Sequence, residues 1–254
     1  YRICHTSQRK QQASGQKTKE ETAVQPIERP ESLTESVIKR LRAAIVSGDF
    51  ALGQPLSERQ LAELLEVSKT PVREALAQLR LEGLVRIQPQ RGALVFTLSQ
   101  REVVEICELR QALEASALRR AMERNPVRFR EDLEAVVVRM RKARKRRDEK
   151  AYLTEDTNFH LCFFSNCGNT LMEQNYGMFV GKIAALRTHL AHKPKHTELS
   201  FNEHEEMLEA VHAGDIATAL AVLDVHIART KETYSAGVTD IAAADLPPAS
   251  RTGT

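Results

Sequence analysis

Between residues 31 and 98 the apolar positions recur at helical spacing in three short runs, then change to a strand-like pattern. Val37, Leu41 and Ile45 lie four apart on one helical face, and Gly48 stops that helix. Ser57 followed by Gln60 is a capping-box signature for a second helix, Glu58 to about Glu66. Its predicted buried face is Leu61, Leu64 and Leu65. A turn at Val67, Ser68 and Lys69 leads to Thr70-Pro71, which reads as N-cap and first helical residue of a third helix. That helix runs through Val72, Ala75, Leu76 and Leu79 to Gly83, a C′ glycine. Two short strands, at 85–87 and 93–95, then flank a five-residue loop, Gln88 to Gly92.

From 99 to 235 the pattern is helical almost throughout. Ser99 with Glu102 is a second capping box, opening a helix to about Arg124 that Pro126 ends. Further helices are predicted over about 127–147, 149–166, 169–191, 199–213 and 215–234, with Gly168 and Gly214 as punctuation. Long helices joined by short loops pack as an antiparallel bundle. The predicted fold is therefore mainly α: an N-terminal winged helix-turn-helix over 31–98, followed by an antiparallel all-α bundle over 99–235. Residues 1–30 and 236–254 lack periodicity and read as disordered tails.

Composition narrows the class. No uncharged apolar run approaches the ~18 residues of a membrane-spanning helix. The beginning of the chain has no apolar stretch of the secretory type. Cys4, Cys107, Cys162 and Cys167 form no CxxC pair and suit reduced thiols, hence a cytoplasmic protein. The net charge is only +3, and residues 31–98 carry 9 basic against 8 acidic side chains. Any nucleic-acid binding must then come from a few placed cations rather than bulk attraction.

Two helices joined by a tight turn, with a Gly-tipped hairpin after the third helix, match a winged DNA reader. Residues that open the second of those two helices reach the groove first: Ser68, Lys69, Thr70 and Arg73. Lys69 and Arg73 can meet guanine edges or phosphates, and the hydroxyls can meet phosphate. Arg59 sits on the preceding helix near the backbone path, and Gln90, Arg91 and Gly92 form the hairpin tip. Spacing alone also fits a small helical domain with an ordinary solvated face; the hairpin is what narrows the choice.

Asp156 and His160 are four apart and share a helix face, His204 lies on the penultimate helix, and His226 on the last. One carboxylate with three imidazoles suits a divalent ion, Zn or Ni first, with Mn or Fe as alternatives. The same Asp/His spacing also fits a surface pair, and spacing does not decide between them.

The stretch LSERQLAELLEVSKTPVREALAQLRLEGLVRIQPQRGALV (56–95) resembles the winged helix-turn-helix of GntR-type bacterial transcriptional regulators. The resemblance implies that Arg59, Lys69, Thr70, Arg73 and the wing near Arg91 and Gly92 contact operator double-stranded DNA. Lys69 stands where members often carry Arg, and Glu66 where many carry Gly, so that turn must hold a side chain. TEDTNFHLCFFSNCGNTLMEQ (154–174) and NEHEEMLEAVHAGDIATALAVLDVHIARTKE (202–232) resemble the FCD-type ligand-binding domain of the FadR branch, in a shorter, VanR-type arrangement. In metal-binding members an Asp-x3-His pair and two later His hold the ion, and these match Asp156, His160, His204 and His226. Arg110 matches a position often paired with an effector carboxylate, and Arg187 is a second candidate on the helix after the Asp/His pair.

The expected protein is a cytoplasmic, homodimeric, ligand-responsive regulator, a repressor that senses a small carboxylate through a metal-containing helical domain. Two alternatives remain at this stage. In one, the ion itself is the signal. In the other, the site is a metalloenzyme, although Glu203 and Glu205 point away from His204 on a helix and no placed general acid or base stands out. The basic run Arg139–Arg147 reads as a solvated face, Cys162 as a buried thiol, and Phe159, Phe163 and Phe164 as core.

Overall fold

The structure, a computed structural model, describes residues 32–88, 92–190 and 195–244. The predicted tail over 1–30 and the hairpin-tip residues Gln90 and Arg91 lie outside the described residues. The first part of the chain forms α1 (Leu33–Val46), β1 (Pro55–Leu56), α2 (Glu58–Leu65), α3 (Lys69–Leu81), β2 (Val85–Gln88) and β3 (Gly92–Val95). α1 begins with a full capping box, in which Glu35 N donates to Ser32 Oγ at 3.1 Å and Ser32 N donates to Glu35 Oε2 at 2.9 Å. It buries Val37, Leu41 and Ile45 against α3. The Arg42 guanidinium grips Glu82 at the end of α3 through two hydrogen bonds of 2.8 and 2.7 Å.

Three details of this part differ from expectation. Leu64 is 69% exposed, and the buried positions of α2 are Leu61 and Ala62. The packing face of this eight-residue helix is set by what α3 covers, and Leu64 lies beyond it. The cap of α3 is Ser68, two residues before Thr70, so Pro71 occupies the third helical position. Its missing N–H still falls among the first-turn groups that have no intrahelical acceptor. A short strand, β1, was not foreseen: it pairs antiparallel with β3, making a three-stranded sheet in the order β1-β3-β2. Two residues carry no readable alternation, and only β3 supplies the partner that makes them a strand.

Glu66 closes α2 with φ 55 and ψ 43, the left-handed region. An L-residue with a Cβ is disfavoured there, whereas glycine is not. Glu66→Gly is expected to raise the stability of the head by up to ~1 kcal/mol. A thermal or denaturant midpoint below that of wild type would contradict this.

The second part is an all-α bundle: α4 (Gln100–Arg124), α5 (Pro126–Arg146), α6 (Glu149–Asn166), α7 (Thr170–Gly177), α8 (Val180–Leu190), α9 (His196–Ala213) and α10 (Ile216–Ala244). Ser99 and Glu102 form the predicted capping box, and Pro126 opens α5 where a proline costs no hydrogen bond. α6 is central, packed against α4, α5, α7 and α8. It buries residues on several faces, including Tyr152, Phe159, Phe163 and Phe164. Phe163 meets Phe159 and Phe129 edge-on at 5.5 and 6.0 Å between centroids, the geometry that places a ring edge on a ring face. α1 of the head lies against α8.

The single helix expected over 169–191 is two, because the chain turns through Met178 and Phe179 to bring α8 back onto α6 and α10. The last helix runs past Ala236, where a tail was expected to begin, to Ala244. Tyr234 and Val238 are buried on it, so the helix continues because its apolar face still packs on the bundle. Residues 245–254 of that expected tail lie outside the described residues.

Candidate metal centre and nucleic-acid interface

α6 turns Asp156 and His160 inward on one face, 1% and 0% exposed. α9 contributes His204 and α10 contributes His226, also buried. One ligand nitrogen from each of His160, His204 and His226 lies within 4.8 Å of the others. Asp156 stands at the edge of this cluster: Oδ1 is 3.8 Å from His204 Nδ1, and Oδ2 is 2.5 Å from Arg187 Nε. Arg187 also donates from Nη1 to Thr157 Oγ1 at 2.9 Å. The Phe159 ring lies 4.2 Å from that of His204 and forms an apolar wall.

Around these groups stand acids and tyrosines that the sequence did not place there. Glu114, one turn after Arg110 on α4, accepts from Arg110 Nε at 2.7 Å and from the Tyr176 hydroxyl at 2.8 Å. Its other oxygen is 2.9 Å from His160 Nδ1. Glu203 turns away from its neighbour His204, as expected, but reaches His226 Nδ1 at 2.8 Å. Arg229 holds Glu203 with two hydrogen bonds of 2.7 and 2.5 Å. The i,i+4 spacing of Arg110 and Glu114 was a readable signal. The meeting of Glu203 with His226 joins two helices and had none.

Burial sets the charge states. It pushes His204 down to about 3, and His226 well below its usual value, where the two neighbouring histidines add to the effect. His160 is also lowered by burial, against the opposing pull of Glu114. Burial alone would raise the Asp156 and Glu114 carboxyls. Arg187 overrides it at Asp156, and Arg110 with His160 overrides it at Glu114, so both stay below the ordinary carboxylate range. The site therefore presents neutral imidazoles and an anionic carboxylate at neutral pH, the protonation states that a divalent ion requires. Both nitrogens of His160, both nitrogens of His204 and Arg110 Nη1 are buried with no hydrogen-bond partner among the described residues. Buried polar groups normally find partners: the orphaned imidazole nitrogens fit an ion between them, and Arg110 Nη1 is a donor left for an anion.

Other expectations hold. Cys162 is a buried free thiol that burial pushes up to about 12, and Phe159, Phe163 and Phe164 are core. In the basic run, Arg139 pairs with Glu155 at 2.9 Å, Arg141 with Glu205 at 2.7 Å, and Arg144 stacks 4.3 Å above the Phe201 ring.

At the head, Ser68, Lys69, Thr70 and Arg73 are all exposed at the start of α3. Ser68 Oγ makes no capping hydrogen bond, so its hydroxyl is not committed to the helix end. Arg73 pairs with Glu58 at 2.9 Å and Arg59 with Glu63 at 3.2 Å, both on the surface. Such pairs are weak and exchange readily for a phosphate. Gly92 starts β3 at φ 79 with open space where a side chain would be. A shallow groove lined by Glu58, Arg73, Arg80, Ile87 and Gly92 separates α3 from the wing. Arg80, two turns along α3 from Arg73, is a further cation on this groove that the sequence reading passed over.

Two family models match the chain. That of the bacterial regulatory proteins of the gntR family covers residues 33–95, and that of the FCD domain covers residues 105–229. An HTH-type transcriptional regulator in the TAR-I ttuE-ttuC′ intergenic region of Agrobacterium vitis is 38% identical over 127 residues, 47% of this chain and 72% of that protein. The gluconate operon transcriptional repressor of Bacillus licheniformis is 29% identical over 180 residues, 69% of this chain and 74% of that protein. Among solved structures, E. coli McbR/YncC superposes with a TM-score of 0.70 at 21% identity, covering 81% of this chain and 98% of that one, and shares its fold.

Proposed function

The chain belongs to the GntR family of bacterial regulatory proteins, with an FCD domain behind its helix-turn-helix, and from this we propose a metal-dependent, acid-responsive repressor that acts as a homodimer. Its relatives are transcriptional regulators rather than enzymes. The observation that carries the finer reading is the buried convergence of His160, His204 and His226, with orphaned nitrogens, beside Asp156.

His160, His204, His226 and Asp156 would hold the ion. When bound, a divalent cation supplies a Lewis acid able to take an oxygen of a small carboxylate. Arg110 gives its uncommitted Nη1 to that carboxylate, while Glu114 fixes the rest of its guanidinium. Arg187 holds Asp156 anionic and is the second cation on the effector side. The paired heads place Ser68, Lys69, Thr70 and Arg73 in successive major grooves of a two-fold operator, with Arg59 on the backbone and Gln90, Arg91 and Gly92 on the adjacent groove. An acid shifts DNA binding only by preferring one arrangement of the heads over the other.

The test is operator binding by the full chain, metal-free and zinc-loaded, titrated with small mono- and dicarboxylic acids on DNA from upstream of its own gene. An acid that releases DNA only from the zinc-loaded protein is the expected result. Zinc alone toggling binding would replace the acid with the ion as signal. An acid acting equally on the metal-free protein would overturn the role of the ion.

A further inference from the structure

One of the three clustered imidazoles is hydrogen-bonded from behind by a carboxylate. His226 Nδ1 stands 2.8 Å from Glu203 Oε2, whereas His160 Nδ1, although 2.9 Å from Glu114 Oε2, makes no hydrogen bond with it. Each carboxylate is in turn fixed: Glu114 by Arg110 and the Tyr176 hydroxyl, Glu203 by Arg229. An ionised carboxylate can only accept, so the ring nitrogen facing it carries the proton. In a neutral imidazole this leaves the lone pair on Nε2. Neither nitrogen of His204 makes a hydrogen bond among the described residues, and the nearest carboxylate oxygen, on Asp156, is 3.8 Å from its Nδ1.

We infer that Glu203 is a positioning residue, which holds His226 in the Nδ1–H tautomer with Nε2 turned to the centre before any ion arrives. His160 and His204 are the imidazoles that settle as the ion binds. One ring arrives oriented, so ion binding must order the other two and the Asp156 carboxylate. The support stands on α9 and the ring on α10, so His226 is braced by an element other than its own. This inference rests on the metal reading above.

The experiment uses full-length protein stripped with a chelator. Ring nitrogen NMR of the metal-free wild type reads the tautomers, and competition with a chromophoric chelator reads zinc affinity in wild type and in Glu203→Ala. His226 is expected as Nδ1–H, and Glu203→Ala is expected to lose that preference and to bind zinc about tenfold to a hundredfold more weakly. Nε2–H rings at His226 in the wild type, or unchanged zinc affinity in folded Glu203→Ala, would overturn the inference. A wild type that binds no zinc would remove the metal reading, while the His226 tautomer would still decide whether Glu203 orients the ring.

Discussion

Zinc added to metal-free protein is expected to bind at roughly one ion per chain, as a single tetrahedral-type site requires, and the double variant His160→Ala/His226→Ala is expected to bind none. The two residues come from α6 and α10. Losing both leaves His204 and Asp156, which cannot make a closed N/O set. Elemental analysis after dialysis reads the outcome, and retained zinc in the folded variant would contradict the ligand assignment. Acid supplies a second readout with a defined sign. The buried histidines are held below their ordinary value of 6.5, His204 at about 3. Below pH ~6.5 the unfolded chain takes up protons that the folded chain refuses, so metal-free stability falls as pH drops through that value. Zinc binds the folded, unprotonated rings and should move acid unfolding to lower pH. The double variant should lose this shift.

Arg73→Ala is expected to lower specific operator affinity by about tenfold to a hundredfold in each half-site, the cost of one good bidentate base contact. In a two-fold dimer the losses combine and bring binding close to the non-specific level. The fold should survive: Arg73 is exposed, and its ion pair with Glu58 lies on the surface. A thermal midpoint near that of wild type, measured beside footprinting at matched salt, separates lost recognition from lost structure. Wild-type affinity in this variant would refute the placement of α3 in the groove. Lys69→Ala should weaken binding less, because a lysine makes no bidentate guanine contact.

Local chemistry made much of the chain legible. The caps at Ser57 and Ser99, the stop at Gly83 and the limits of α6 each rest on interactions within a few residues. The i,i+4 spacing of Asp156 and His160 put both on one face of α6 without reference to the rest of the molecule. The resemblance to metal-binding relatives then supplied His204 and His226.

Tertiary structure decided what depends on distant partners. β1 exists because β3 pairs with it, Leu64 is exposed because α3 does not cover it, and α7 turns from α8 because the chain must return to the core. At the site, packing alone brought Glu203 of α9 to His226 of α10 and joined Glu114 of α4 to His160 of α6. The sequence by itself determined the kind of each element and the residue types that could bind DNA or an ion. Those properties follow from backbone propensity and side-chain period, which act over a few residues. Which nitrogen of each histidine faces the centre, and which charges stand behind it, depends on how helices far apart in the chain pack, and only the folded molecule specifies that.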